Sequence, residues 1–155
     1  VNQPSEQISR SVDHQALEHA GRTFIAVWCR SQDRVAGHVP PTQLRTLEVI
    51  AARPHLGMRD LAAHLGMIPS SASRLCDRLV AAGLLVREPS DVDRRQVVLR
   101  ATPEGEELLR DLARQRRRDL EAVLDRMPPE DGARLLAGLL SFAEHAERAE
   151  DDGSG

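Results

Sequence analysis

The 155 residues of this chain include no lysine and no tyrosine, one tryptophan, two phenylalanines and two cysteines. Cys29 and Cys76 lie far apart and show no metal-ligand spacing, so reduced thiols in a cytoplasmic protein are the simplest account of them. No run of eighteen apolar residues occurs, so no membrane-spanning helix is expected. The first residues lack a basic start followed by an apolar run, and no secretion signal is expected. Six histidines are scattered and form no HxxxH pair, which argues against a metal site. There is no glycine-rich phosphate loop, no nucleophile elbow, no acid pair and no internal repeat. These absences leave no constellation for an enzyme and call for no cofactor.

What remains is arginine. All 21 basic residues are arginine, and the net charge is −3. That sign disfavours a nucleic-acid partner only if its distribution is ignored. From Pro41 to Ala101 there are nine arginines against six acids; the rest of the chain has twelve against eighteen. Attraction to phosphate follows the local field rather than the total. Arginine also favours bidentate contacts to phosphate and guanine.

The stretch Met58 to Arg100 organises that basic surplus. Leu61, Ala62 and Leu65 fit the buried stripe of a short helix. Gly66 suits a helix end that needs positive φ, and Pro69 opens the next helix. Ser70 and Ser71 are expected to cap that second helix, and Ala72, Leu75, Leu79 and Val80 to form its core stripe. Its other face shows Ser70, Ser73, Arg74, Asp77 and Arg78, and Gly83 ends it. Leu84 to Val86 and Val97 to Leu99 read as two strands flanking a polar loop from Glu88 to Arg95. Helix, tight break, helix, strand, loop, strand in this order is a helix-turn-helix with a β-wing. The expected partner is double-stranded DNA. Ser70, Ser71, Ser73 and Arg74 would meet the major groove, and Arg78 a phosphate. Arg94 and Arg95 would sit at the wing tip, one of them entering a minor groove, with Asp91 and Asp93 holding the loop.

The segment Pro41 to Gly105 resembles the multiple-antibiotic-resistance regulator (MarR) family of winged-helix regulators. The resemblance rests on PTQLRTLEVI, DLAAHLG, SSASRLCDRLVAAGLLVR and DVDRRQVVLRATPEGEEL, with the paired wing arginines and the exit at Thr102, Glu104 and Gly105 its most specific parts. It implies a homodimeric DNA-binding regulator, often one whose affinity for DNA is lowered by a small molecule.

The flanks read as helices. Val12 to Val35 carries Leu17, Ala20, Phe24, Val27, Trp28 and Val35 near helical spacing, and Thr42 is expected to cap the helix after Pro40 and Pro41. A long helix runs from Pro103 toward Arg126, and another from Glu130 to about Ala149. The fold class is therefore mainly α: a winged helix-turn-helix over 41–101, a dimerisation helix over 10–38, dimerisation helices over 102–149, and a disordered acidic tail over 150–155. The terminal leucines exceed what a small winged helix needs. A second copy would pack through Leu17, Leu120, Leu124, Leu135 and Leu139. The two recognition helices would then stand about 34–36 Å apart over a pseudo-palindromic operator.

The resemblance also implies an effector pocket where the first, second and long helices meet, with Phe24, Trp28 and Arg30, Arg45 or Arg110 in it. A small aromatic or anionic ligand would stack on Trp28 and pair with an arginine. Filling of the dimer core is the competing role for Phe24 and Trp28. Some relatives sense peroxide through an N-terminal-helix cysteine with nearby tyrosines; Cys29 sits suitably, but the chain has no tyrosine. Cys76 reads as a small core residue, and Arg116 to Arg118 as a solvated run or a set of salt bridges. A winged helix used for protein contact without DNA readout is the other alternative. Paired wing arginines directly after Asp91 and Asp93 speak for DNA.

Overall fold

A computed structural model describes residues 13–53, 56–89 and 97–152. Among the described residues eight elements follow in order: α1 (His14–Val35), α2 (Pro41–Ala52), α3 (Met58–His64), α4 (Pro69–Ala81), β1 (Leu85–Pro89), β2 (Val97–Ala101), α5 (Pro103–Leu124) and α6 (Pro129–Asp152). The class is mainly α with one antiparallel two-stranded sheet, in which Leu85 pairs with Ala101 and Pro89 with Val97.

Local chemistry sets the helix ends. Asp13 caps α1, its Oδ1 accepting from the backbone N–H groups of Gln15 and Ala16 at 3.0 and 3.1 Å. Both helices of the central motif close in the same way. At α3, Met67 N–H donates to Ala62 O and Gly66 N–H to Ala63 O, each at 3.0 Å, with Gly66 at φ +63°. At α4, Leu84 N–H donates to Leu79 O at 3.0 Å and Gly83 N–H to Val80 O at 2.9 Å, with Gly83 at φ +73°. Both are Schellman motifs, which need a residue at ease in the left-handed region.

Several expected details differ. Ser70 and Ser71 do not cap α4: Pro69 takes the first helical position, Ile68 is the N-cap, and no side chain caps there. Thr42 likewise lies inside α2, behind the N-cap Pro40; its carbonyl accepts from Thr46 Oγ1 at 2.8 Å. In both cases proline starts the helix two residues earlier than a cap at Ser70 or Thr42 would. Val80 is exposed and Leu75 half-buried, while Cys76 takes the core position between Ala72 and Leu79. Strand β1 begins at Leu85 and runs on to Pro89, so Glu88 belongs to the ladder, opposite Val98. Helix α6 continues to Asp152, past the expected start of the tail at 150, and residues 153–155 lie outside the described residues.

The core sits in the winged helix. Leu44, Leu47 and Ile50 of α2 meet Leu61, Cys76, Leu79, Leu85, Leu99 and Leu112, all nearly inaccessible. Burying each large aliphatic side chain is worth roughly 1.5–3 kcal/mol. Helix α5 joins this core through a close approach. Thr102 caps it, accepting from Gly105 N–H at 3.1 Å and donating to Gly83 O at 2.7 Å. Thr102 N–H donates to Leu84 O at 3.1 Å. The start of α5 is thereby tied to the end of α4.

The outer helices contrast with this. Helix α1 packs along α5 but buries only Val27 and Ser31 among its described residues. Among the described residues of α6, none is buried. Leu135, Leu136, Leu139, Leu140 and Phe142 stand exposed there, as do Leu17, Val123 and Leu124 on the neighbouring helices. No described helix is long and apolar enough to cross a membrane.

Candidate nucleic-acid interface

Helix α4 is seated by its inner face and held at both ends by the two glycine turns. Ala72, Cys76 and Leu79 are fully buried against the core. Helical geometry then turns Ser70, Arg74, Asp77 and Arg78 outward, and all four are exposed. Ser71 and Ser73 are half-buried. Because Ser70 and Ser71 cap nothing, their hydroxyls are not committed to the helix start. Arg74 and Arg78 form no ion pair with a described residue. The outer face of α4 therefore offers guanidinium and hydroxyl groups to an anionic surface.

The strands add a residue that sequence reasoning did not single out. Arg87 of β1 donates through Nη2 to Asp77 Oδ1 at 2.7 Å, and reaches Ser73 Oγ at 3.5 Å. Ten residues separate Arg87 from Asp77, so no helical or strand periodicity signals the pair. Arg100 pairs with Glu88 at 3.0 Å across the ladder. Asp91, Asp93, Arg94 and Arg95, the expected wing loop and tip, lie outside the described residues.

Of the five residues expected around an effector, Phe24 and Trp28 meet and Arg110 lies apart from them. Phe24 is half-buried and stacks near Trp28, with ring centroids 6.4 Å apart and planes at 21°. It also lines an apolar cavity of about 670 Å³ between α1, α5 and α6, with Leu120, Leu124, Leu135 and Leu139. Trp28 is 39% exposed. Arg30 and Arg45 are exposed and form no ion pair with a described residue. Arg110 lies on another face, paired with Glu107 at 2.7 Å and Glu106 at 3.5 Å beside a separate cavity of about 440 Å³. Those carboxylates hold the Arg110 guanidinium above its ordinary range, and Arg110 in turn holds Glu107 below the usual carboxylate range.

The guanidinium over Trp28 belongs instead to Arg116, 4.5 Å from the ring centroid. Its side chain is only 12% exposed and pairs with Glu48 of α2 at 2.5 Å. Of the run Arg116 to Arg118, then, the first turns inward while Arg117 and Arg118 are solvated. Asp119, one turn on, accepts from Arg34 and from Gln115, each at 3.0 Å. Its Oδ2 and the Nε of Arg116 are buried without a hydrogen-bond partner. Charge is thus concentrated where α1, α2 and α5 meet.

Both cysteines are free thiols, Cys29 half-buried and Cys76 buried. Burial pushes the Cys76 thiol pKa up, against a smaller opposing pull from Arg87.

Comparison with known proteins places this arrangement. The sequence model of the MarR family matches residues 39–96. The uncharacterized HTH-type transcriptional regulator YfiV of Bacillus subtilis is 27% identical over 110 residues, covering 71% of this chain and 69% of that protein. The crystal structure of RV1404 from Mycobacterium tuberculosis superposes with a TM-score of 0.79 at 31% identity, over 86% of this chain and 93% of that one. FabT of Streptococcus pneumoniae, solved in complex with DNA, shares the fold with a TM-score of 0.73 at 23% identity, over 88% of this chain and 99% of its own.

Proposed function

This chain belongs to the MarR family of DNA-binding transcriptional regulators, and from that premise we propose that it acts as a homodimeric, sequence-specific repressor. Its operator is a pseudo-palindrome, read by α4 in the major groove and by the wing. The observation that carries this reading is the outer face of α4. Ser70, Arg74 and Arg78 recur every fourth residue on a helix fixed by its buried side, and both arginines lack an ion-pair partner among the described residues. Ser71 and Ser73 flank that row, and the wing contact is assigned to Arg94 and Arg95. FabT, which shares this fold, was solved bound to DNA.

The second copy packs on α1, α5 and α6. What supports this is the uncovered apolar face: Leu17, Leu124, Leu135 and Leu139 are exposed, and with half-buried Leu120 most of them border the 670 Å³ cavity. Each exposed leucine is still about two-fifths to one-half exposed, so covering it would add roughly 0.5–1.5 kcal/mol, a fraction of the gain for full burial.

The effector is an aromatic carboxylate at Trp28 and Arg116. The half-exposed ring offers a stacking surface, and a ligand carboxylate would compete with Glu48 for the Arg116 guanidinium. Taking Arg116 from Glu48 loosens α5 from α2, the helix on which the winged motif is built. The ligand acts by favouring a spacing of the two α4 helices that does not fit DNA.

A gel-shift assay with the DNA flanking this chain's own gene tests the core of the proposal. Specific retardation, with a dimer by light scattering at micromolar concentration, is the expected result. A monomer that still binds DNA tightly would overturn the assembly, and no sequence preference would overturn the regulator reading.

A further inference from the structure

An acidic residue on the exposed face of α4 is out of place if that face meets phosphate. Asp77 lies one turn beyond Ser73 on the same stripe, between Arg74 and Arg78, and its side chain is 61% exposed. A carboxylate there would repel the DNA backbone. The chain answers from a different element. Arg87, projecting from β1, places Nη2 2.7 Å from Asp77 Oδ1, within charge-assisted hydrogen-bond distance. The same nitrogen stands 3.5 Å from Ser73 Oγ, at the outer limit of a contact.

Resting on the DNA-binding reading above, we infer that Arg87 is a positioning residue of the DNA-binding face, which neutralises the charge of Asp77. The geometry has two consequences. First, the pair gives the outer face of α4 the net charge of Arg74 and Arg78 rather than one unit less. Second, Ser73 Oγ accepts from Arg87, so the serine hydrogen is left to donate elsewhere, and a base or phosphate acceptor becomes its natural partner. Arg87 acts through Asp77 and Ser73 and touches no DNA itself.

This assignment makes a reversal that a plain contact residue would not. Removing Arg87 uncovers a negative charge; removing Asp77 as well takes that charge away. In a gel shift or anisotropy titration at low salt, Arg87→Ala should weaken operator binding about tenfold, the order expected for one unpaired charge a few ångström from phosphate in a water-like dielectric. The double variant Arg87→Ala/Asp77→Asn should regain all but about two- to threefold of the loss. The deficit of the single variant should shrink as salt is raised, because screening weakens the repulsion.

Melting temperatures recorded in parallel separate this from a structural strap. A strap would leave the double variant as weak as the single one, with both melting lower. If Arg87 were itself a phosphate contact, single and double variants would be equally weak and the salt slope would fall by about one. Either pattern overturns the inference while leaving the DNA-binding reading intact. A wild-type chain that binds no DNA would overturn both.

Discussion

The guanidinium of Arg116 lies 4.5 Å from the centre of the Trp28 ring while holding Glu48 at 2.5 Å, so a single side chain of α5 links α1 to α2. Removing one partner of a largely buried ion pair leaves the other charge uncompensated, and a cation–π contact adds to the loss. Arg116→Ala should therefore destabilise the chain by about 2–3 kcal/mol, with Glu48→Gln costing less because Glu48 is the more exposed partner. Denaturant unfolding followed by Trp28 emission reads both effects. An Arg116→Ala variant as stable as the parent, with unchanged emission, would refute the contact.

Gly105 is held to glycine by space. A Cβ added there would stand 2.3 Å from the carbonyl oxygen of Leu84. That oxygen belongs to backbone that also accepts from Thr102 N–H, so it cannot swing aside. Gly105→Ala should cost about 1–3 kcal/mol or more through overpacking, despite alanine's better helix propensity. A melting temperature equal to or above the parent's would show that α5 does not approach so closely.

Arg74 and Arg78 carry different expectations. Arg74→Ala should weaken specific binding by about 1–3 kcal/mol and relax preference at one base pair, if it reads a base. Arg78→Ala should weaken binding to every sequence alike and lower the salt slope by about one. Both are exposed, so neither should change the fold. Operator affinity unchanged in the double variant would remove α4 from the interface.

The two thiols should part in reactivity. Cys76 is inaccessible in the core and its pKa is raised by burial, whereas Cys29 is half-buried. A maleimide added to the native protein should modify Cys29 first, and Cys76 only at the rate of global unfolding. A raised folded pKa means that deprotonation favours the unfolded chain. The contribution of Cys76 is thus fully present below the ordinary thiol pKa of about 8.5 and declines as pH rises through the folded value. Equal labelling of both thiols in native buffer would contradict the packing.

Much of the DNA-binding motif was legible because its signals are local. Gly66 and Gly83 mark helix ends at which the chain takes positive φ, and both do so here. Pro69 and Pro103 open helices, and the apolar spacing names Leu61, Ala72, Leu79 and Leu99 as core. Where two local signals compete, the stronger one sets the helix start. Proline and serine both favour a helix start at 69–71, and proline's fixed φ won.

The sequence by itself determined the order of elements, the glycine turns and the outward row of Ser70, Arg74 and Arg78, because each depends on neighbours within one or two turns. Only the tertiary structure decided which of three consecutive arginines turns inward, which arginine covers Trp28, and that Arg87 closes on Asp77. Those choices join residues 10 to 88 positions apart on different elements. No period of 2 or 3.6 extends across such gaps; packing of one helix on another sets them. The apolar faces of α1, α5 and α6 belong with neither group, since the sequence wrote them and the single chain leaves them uncovered.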